Sequence, residues 1–289
     1  MRIANQVPSV NYHLWKPCNM KCGFCFATFQ DIHSNILPKG HLGREDCLSV
    51  VESLAQAGFR KINFAGGEPT LCPWLPDLIR WAKILGLTTS VVTNGSRITA
   101  EWLKSVNGSL DWVALSIDSV NPSTLSRTGR ETRSGPMSEH DYLRAIDILK
   151  QHLVRVKINT VVTQGNLQEN LADFILKARP ERWKLLQVLP VKGQNDHTVG
   201  KFVVSTYEFD DYVRSNRWVE AYGITVVPEN NDLMTGSYVM VDPAGRFFDN
   251  VAGDHTYSRS IIKGGVEEAL RDVSVDPEKF LSRNGRYDW

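Results

Sequence analysis

Two kinds of hydrophobic pattern alternate through the first two thirds of the chain. Short apolar runs rich in β-branched and aromatic residues predict six strands, which are Val10–Trp15, Lys61–Ala65, Thr88–Thr93, Trp112–Asp118, Val156–Thr163 and Trp183–Val191. Amphipathic stretches with helical spacing lie between them, at 44–57, 74–85, 99–106, 139–153 and 167–178. This alternation indicates an α/β fold with a parallel sheet and right-handed crossovers. Six such units predict a partial (β/α)6 TIM-like barrel rather than the closed eightfold form.

The pattern changes after Val191. A helix at 206–216, an extended segment Ile224–Val227 and a hairpin of Tyr238–Val241 with Arg246–Phe248 do not continue the repeat. We therefore expect residues 1–191 to form the partial barrel. Residues 192–289 are expected to form a C-terminal extension that covers the barrel mouth.

Composition and charge exclude several classes of protein. The net charge of +1 argues against a nucleic-acid-binding protein that relies on bulk electrostatics. No run approaches the roughly twenty apolar residues that a membrane span needs. The first predicted strand begins within ten residues of the start, which leaves no room for a signal peptide or an amphipathic anchor. We expect a cytoplasmic protein whose thiols are reduced, with no membrane and no nucleic-acid partner.

The most specific motif is the spacing of Cys18, Cys22 and Cys25, which is CxxxCxxC. Three thiolates hold three irons of a [4Fe–4S] cluster, and the fourth iron is then free to chelate S-adenosylmethionine (SAM). A structural zinc site is the alternative, but it needs four ligands and no nearby Cys or His completes such a set. A disulfide is disfavoured because the close spacing would strain the loop. The motif predicts radical chemistry that starts at a cluster.

A second motif, Gly66-Gly67-Glu68-Pro69, follows the second predicted strand. It lies at the same end of the sheet as the cysteines, and parallel α/β folds carry their active sites at that end. Adjacent glycines let the backbone approach a ligand, while the Glu68 carboxylate and exposed carbonyls suit an ammonium group. We interpret the segment as the pocket for the amino group of SAM; a tight turn without a ligand is the alternative.

Basic residues alternate with apolar ones in three predicted strands. Period two places Lys61 with Asn63, Lys157 with Asn159, and Arg182 with Lys184 on one face of each strand. If the apolar residues lie beneath the helices, the cations point into the barrel lumen, where they repel each other unless an anion binds. A polyphosphate supplies several anionic oxygens for Lys and Arg. The alternatives are that these side chains reach solvent at strand ends or pair with internal carboxylates.

Taken together, the motifs resemble the viperin family of radical SAM nucleotide dehydratases. CxxxCxxC alone marks only the radical SAM superfamily, whereas the ordered set extends over nearly the whole chain. It comprises Asn11-Tyr12-His13, Cys22 to Phe26, Lys61-Ile62-Asn63-Phe64, Asn94-Gly95-Ser96, Asp118-Ser119, Gly129-Arg130, Lys157-Ile158-Asn159, Arg182-Trp183-Lys184, Ser237-Tyr238, Gly265-Val266-Glu267-Glu268 and Asp288-Trp289.

The resemblance implies a radical SAM lyase that converts CTP to 3′-deoxy-3′,4′-didehydro-CTP, an antiviral nucleotide. A 5′-deoxyadenosyl radical would take hydrogen from C4′ of the ribose, the 3′-hydroxyl would leave as water, and one more electron and a proton would complete the product. An electron donor and a nucleoside triphosphate are the implied partners. The alternatives are the same chemistry on UTP or GTP, and a radical SAM enzyme with a non-nucleotide substrate.

The resemblance also implies roles for individual residues. Tyr238 matches a tyrosine that delivers the final hydrogen or proton; a packed hairpin tyrosine is the alternative. His255 falls near the expected phosphate position, where it would make affinity depend on pH. The SAM contacts implied are Gly66, Gly67, Glu68, Thr93, Ser116 and Arg130, and the substrate contacts are Asn11, Lys61, Asn63, Lys157, Asn159, Arg182, Lys184 and His255.

The segment Tyr287-Asp288-Trp289 has two interpretations. Its aromatic residues pack against the extension, or Trp289 is an exposed tail residue of the kind by which animal relatives recruit the cytosolic iron–sulfur assembly machinery. The sequence leaves both open.

Overall fold

One sheet organises the molecule. The computed structural model describes residues 3–37, 39–106 and 108–289, and within these ranges ten strands form a single sheet in the order β10-β9-β8-β1-β2-β3-β4-β5-β6-β7. The strands are β1 Ser9–Trp15, β2 Lys61–Gly66, β3 Thr88–Thr93, β4 Trp112–Ser116, β5 Arg155–Val162, β6 Arg182–Gln187, β7 Thr225–Glu229, β8 Val239–Val241, β9 Arg246–Asp249 and β10 Thr256–Ser260. Neighbours from β8 through β1 to β7 are parallel, whereas β8–β9 and β9–β10 are antiparallel. The sheet is thus open, as a partial barrel requires.

Helices connect the strands. In the described ranges they are α1 Ile3–Gln6, α2 Gln30–Asn35, α3 Arg44–Gln56, α4 Leu75–Ile84, α5 Ala100–Val106, α6 Pro122–Thr128, α7 Glu139–Gln151, α8 Ala172–Ala178, α9 Thr206–Asn216, α10 Asn231–Met234, α11 Ile261–Gly264, α12 Val266–Leu270 and α13 Pro277–Ser282. Short 3₁₀ turns occupy Pro69–Leu71, Val199–Lys201 and Arg217–Tyr222. Ser138 begins α7 with a capping box to Asp141, which satisfies backbone N–H groups that the first turn leaves free.

The two faces of the barrel strands have opposite chemistry. Ile62, Phe64, Ile158 and Trp183 are completely buried in the core beneath the helices, and burial of each such side chain contributes about 2 kcal/mol. The alternate positions on the same strands face the inside of the barrel. The period-two prediction for these strands is therefore confirmed on its apolar side.

The C-terminal region differs from the sequence prediction in one respect. The segment around Ile224–Val227 was expected outside the βα repeat, but β7 pairs in parallel with β6 and so extends the repeat. The connection between them holds α9 and a 3₁₀ turn, which makes it a longer crossover of the same type. The predicted hairpin is confirmed as β8 and β9, and β8 adds to the free edge of β1.

Residues of the extension lie at both ends of the lumen. At the carboxyl end, the Asn195 amide donates to the Phe24 carbonyl at 3.0 Å, next to the cysteine loop. At the amino end, Tyr287 lies among the first residues of β2, β4 and β6. The extension thus makes contacts at both ends of the lumen.

Candidate active site

A single pocket runs through the lumen from the cysteine loop to the ring of Tyr287. Nearly all the residues that the sequence analysis assigned to a site line it. These are Asn11, Cys18, Cys22, Cys25, Asn63, Gly66, Gly67, Glu68, Thr93, Ser116, Arg130, Lys157, Asn159, Arg182, Lys184 and Tyr238. Two are not part of its lining, namely Lys61 and His255. The barrel thereby brings together motifs that are far apart in the sequence.

The cysteine loop follows β1 and is held in place by backbone contacts. Lys21 N donates to the Gly129 carbonyl at 3.1 Å, and Gly23 N donates to the Thr128 carbonyl at 3.0 Å. Gly129 has φ 74°, and a Cβ at that position would lie 2.1 Å from the Lys21 carbonyl oxygen. Only glycine allows this approach, so the Gly129-Arg130 pair fixes the loop as well as supplying a side chain.

The three thiols suit an iron–sulfur cluster. All are free cysteines, and all line the same pocket. Across the part of the chain that the structure describes, no three His, Cys, Asp or Glu side chains converge as a single metal ion requires. In a [4Fe–4S] cluster each thiolate binds a different iron, so three free thiols that line one pocket fit it. Burial raises the pKa of Cys18 to about 11 and that of Cys25 to about 12, so cluster binding would displace their protons.

The Gly66-Gly67 segment packs directly on the chain that leads to the cysteines. A Cβ on Gly67 would lie 2.2 Å from the Lys16 carbonyl oxygen, and Glu68 N donates to the Pro17 carbonyl at 2.9 Å. Glycine at this position therefore allows two loops to touch through their backbones. The two halves of the expected SAM site form one rigid unit.

Glu68 has a different immediate role from the one the sequence suggested. Its buried carboxylate accepts from Thr70 N at 3.0 Å, Thr93 Oγ1 at 2.7 Å and Asn94 N at 2.8 Å. Burial raises the pKa of Glu68 and these donors oppose that rise. Through these hydrogen bonds Glu68 holds the loops after β2 and β3 together.

Arg130 lies beside the cysteine loop in a buried ion pair with Asp118. Burial works against the guanidinium charge, but Asp118 outweighs it and raises the pKa of Arg130. The guanidinium also lies 5.6 Å from the centre of the Phe24 ring. A permanently charged, oriented Arg130 with Ser116 on the same pocket wall suits a carboxylate ligand.

The opposite end of the pocket is strongly basic. Lys157 and Arg182 are nearly buried, and Tyr287 lies between them and Lys61. The Tyr287 hydroxyl accepts from both lysines, at 2.8 Å for Lys157 Nζ, and the Arg182 guanidinium lies 4.0 Å from the centre of its ring. Lys61 is thus covered by Tyr287, which is why it does not line the pocket.

Lys61 and Lys157 are difficult to keep charged. Burial lowers the pKa of Lys61 to about 7. Burial, together with Lys61 and Lys184, lowers the pKa of Lys157 well below its ordinary value. A cavity that disfavours its own cations favours an incoming anion.

Lys184 has a carboxylate partner that the sequence analysis did not identify. Its Nζ lies 2.5 Å from Glu229 Oε1 and donates to the Tyr238 hydroxyl at 2.9 Å. Arg283 completes the group, with Nη1 3.4 Å from Glu229 Oε1 and its guanidinium 3.6 Å from the centre of the Tyr238 ring. For Lys184 alone, pairing with an internal carboxylate is the correct alternative.

His255 lies outside the pocket lining, contrary to its expected phosphate contact. Its ring packs 4.7 Å from Phe248 and 5.7 Å from Phe29, and its Nδ1 lies 3.3 Å from the Tyr257 hydroxyl. Burial lowers the pKa of His255 to about 4, so it is neutral at pH 7. These aromatic neighbours come from the start of α2, from β9 and from β10, and they enclose the His255 ring.

Trp289 is half-buried at the lower end of the lumen. Lys61 Nζ lies 5.1 Å from the centre of its ring, which is 5.9 Å from that of Tyr287. Asp288 is exposed and lies 3.6 Å from Arg155. The packing interpretation of this segment therefore accounts for both aromatic rings.

The comparisons with known proteins agree with this geometry. Residues 14–178 match the model of the Radical SAM superfamily, and these residues include the cysteine loop and the Gly-Gly-Glu-Pro segment. An S-adenosylmethionine-dependent nucleotide dehydratase of Flammeovirga pacifica is 50% identical over 285 residues, which cover 99% of this chain and 97% of the relative. The chain belongs to the S-adenosylmethionine-dependent nucleotide dehydratase family. Membership confirms the predicted resemblance, the enzyme class and the cofactors, a [4Fe–4S] cluster and SAM.

Other nucleotide dehydratases are also similar, but this chain covers a smaller part of their length. A relative from Lacinutrix mariniflava is 52% identical over 287 residues, but the chain spans only 60% of it. The nucleotide dehydratase RSAD2 of Danio rerio is 35% identical over 292 residues, which cover 97% of this chain and 78% of the relative.

Solved structures support the fold. Streptococcus suis SuiB bound to S-adenosylmethionine superposes with a TM-score of 0.68 at 15% identity, covering 97% of this chain and 68% of that one. At that identity the likeness concerns the fold alone. Within the described residues, no helix has the length and apolar character needed to cross a membrane.

Proposed function

We propose that this member of the family converts CTP to 3′-deoxy-3′,4′-didehydro-CTP, with UTP or GTP as the alternative substrate. The observation that carries the proposal is the basic end of the pocket. Lys157, Arg182, Lys184 and Arg283 line it, and Glu229 is the one carboxylate of the lining at that end among the described residues. The excess of positively charged side chains at this end of the pocket matches a triphosphate.

The polar side chains between the two ends of the pocket support a nucleotide that spans the lumen. Polar side chains lie between the cysteines and the basic end, and Asn63 Nδ2 donates to Asn11 Oδ1 at 2.8 Å. Asn159 Oδ1 is buried and has no hydrogen-bond partner. An unpaired buried acceptor costs free energy unless a ligand pairs with it, and a ribose hydroxyl would do so. We assign Asn11, Asn63 and Asn159 to the ribose and base.

The chain's own residues then have defined tasks. When bound, the cluster and SAM supply the radical that removes hydrogen from the ribose. Arg130 and Ser116 hold the SAM carboxylate, while the Gly66-Gly67 backbone receives its amino group. Phe24 and Leu186 line the pocket and limit water near the radical. Tyr238 lies beside Lys184, where it can deliver hydrogen or a proton after the 3′-hydroxyl leaves.

The partners and compartment follow from the same chemistry. A cluster must be reduced before each reaction, so the enzyme needs an electron donor. Five free cysteines and a cluster suit a reducing compartment, and we place the reaction in the cytoplasm. Recruitment of iron–sulfur assembly proteins through Trp289 remains a second proposal, and it would require that half-buried ring to leave Lys61.

One assay tests the function. The anaerobically reconstituted enzyme is incubated with SAM, dithionite and CTP, UTP, GTP or ATP in turn, and 5′-deoxyadenosine is followed. A large increase with one nucleotide, and a product lighter by one water, would establish the dehydratase and its substrate. The same slow release with all four would mean that the substrate is not a nucleoside triphosphate.

Tyr238→Phe is expected to lower product formation at least about tenfold while SAM cleavage continues. The variant keeps the ring that Arg283 packs against but loses the hydroxyl between Lys184 and Glu229. Product and 5′-deoxyadenosine are quantified in the same reaction. Tyr257→Phe is the control, because Tyr257 is outside the pocket lining. Full turnover by Tyr238→Phe would remove this residue from the mechanism.

Binding of CTP is expected to take up protons. Lys61, with a pKa of about 7, and Lys157 are partly neutral in the free enzyme, and a triphosphate favours their charged forms. Affinity should therefore fall as pH rises from about 7 toward the ordinary lysine pKa of about 10. Titration calorimetry in two buffers of different ionisation enthalpy measures the uptake. Lys157→Met should reduce it, whereas proton release on binding would contradict the assignment.

A further inference from the structure

Glu229 is a carboxylate inside a cavity that is otherwise built for anions. It is the last residue of β7, it is completely buried, and it lines the pocket beside Lys184 and Arg283. A negative charge here repels the triphosphate of the proposed function and so weakens its binding. Its presence therefore needs a reason other than substrate affinity.

The contacts of Glu229 supply that reason. The Tyr238 hydroxyl donates to Glu229 Oε2, and the same hydroxyl accepts from Lys184 Nζ at 2.9 Å. Lys184 Nζ also pairs with Glu229 Oε1 at 2.5 Å, which closes a triangle of three side chains. Both the hydrogen and the lone pair of the phenol thus have fixed partners. Arg283 lies over the Tyr238 ring and removes its remaining freedom.

We propose that Glu229 is a positioning residue that holds the Tyr238 hydroxyl at a fixed place in the pocket wall, at the expense of nucleotide affinity. The inference rests on the proposed function, because it assigns Tyr238 and the triphosphate to the same pocket. In this role Glu229 acts through its contacts with Tyr238 and Lys184.

This role predicts two changes of opposite sign in Glu229→Gln. Inorganic triphosphate and CTP should bind at least about threefold tighter, because one repelling charge is removed from a low-dielectric cavity. At the same time, the ratio of dehydrated product to 5′-deoxyadenosine should fall at least about fivefold. The glutamine side chain has one neutral carbonyl oxygen in place of the two carboxylate oxygens of Glu229. The Tyr238 hydroxyl therefore loses its charged acceptor and leaves its fixed position.

A merely structural role predicts a different result. If Glu229 only stabilised the pocket, its loss would weaken triphosphate binding. It would also lower SAM cleavage and product formation by the same factor. Calorimetry of the reconstituted enzyme with inorganic triphosphate measures affinity without turnover, and the product ratio measures coupling. Glu101→Gln, which removes an exposed charge on α5, is the control and should change neither.

Glu229→Asp separates charge from position. It keeps the charge but shortens the side chain, so affinity should stay within about twofold of the native enzyme while the product ratio falls. If circular dichroism shows that Glu229→Gln does not fold, the product ratio of Glu229→Asp still tests the positioning role. Weaker binding in Glu229→Gln, or a native product ratio in either folded variant, would overturn the inference. If the native enzyme binds neither CTP nor inorganic triphosphate, the proposed function itself fails.

Discussion

Replacing Cys22 with alanine is expected to abolish SAM cleavage and to reduce cluster iron to background. The thiol lines the pocket together with Cys18, Cys25 and Arg130, and a cluster held by two thiolates is not retained. Iron and sulfide analysis after anaerobic reconstitution gives a readout that does not depend on activity. Electron paramagnetic resonance of the reduced protein should likewise lose the cluster signal.

The chain offers a matched control for this loss. Cys72 is also a free cysteine, but it is buried in the apolar core and does not line the pocket. Cys72→Ala should keep the full iron content and most of the activity. Equal iron loss in both variants would mean that the cluster is not bound by the CxxxCxxC loop.

Replacing Lys157 and Arg182 together with methionine is expected to weaken CTP binding about a hundredfold or more. Each lost charge-assisted hydrogen bond is worth about 1.5–3 kcal/mol, and every 1.4 kcal/mol is a factor of ten in affinity. Calorimetry with the SAM-loaded enzyme measures the change. Lys192→Met, at an exposed position, is the control.

The same double variant should not destabilise the enzyme without nucleotide. Lys157 is buried among like charges, so removing its ammonium relieves desolvation and repulsion. The free energy of unfolding from denaturant titration should therefore be unchanged or higher. A large loss of stability, or an affinity within threefold of native, would show that these cations serve the fold rather than a ligand.

The sequence alone was sufficient to predict those parts of the site that follow from the alternation of side chains along a strand. Lys61, Lys157 and Arg182 alternate with buried apolar residues, and the structure indeed buries all three cations inside the barrel. The cysteine and glycine loops likewise follow the carboxyl ends of β1 and β2. A strand repeat fixes which face a residue occupies, so these features needed no tertiary information.

The remaining features depend on contacts between distant segments. Glu229 reaches Lys184 only because β7 joins the sheet next to β6, and the long crossover before β7 obscured that pairing in the sequence. Arg283 and Tyr287 enter the lumen from the C-terminal segment, which carries no strand pattern. From its place in the sequence, His255 was expected to contact the phosphates. Its ring instead packs against Phe29 and Phe248, and this packing determines its position.

The pairing of β1 with β8 has a consequence for how the protein is made. β1 leads into the cysteine loop, yet one of its edges is completed by a strand that is synthesised far later. Until then the nascent chain presents an unpaired strand edge and reactive thiols to the surroundings, which invites association between chains and oxidation. Such long-range pairing also folds slowly. Slow expression at low temperature and low oxygen should therefore increase the fraction of chains that fold with all three thiols reduced and able to bind the cluster.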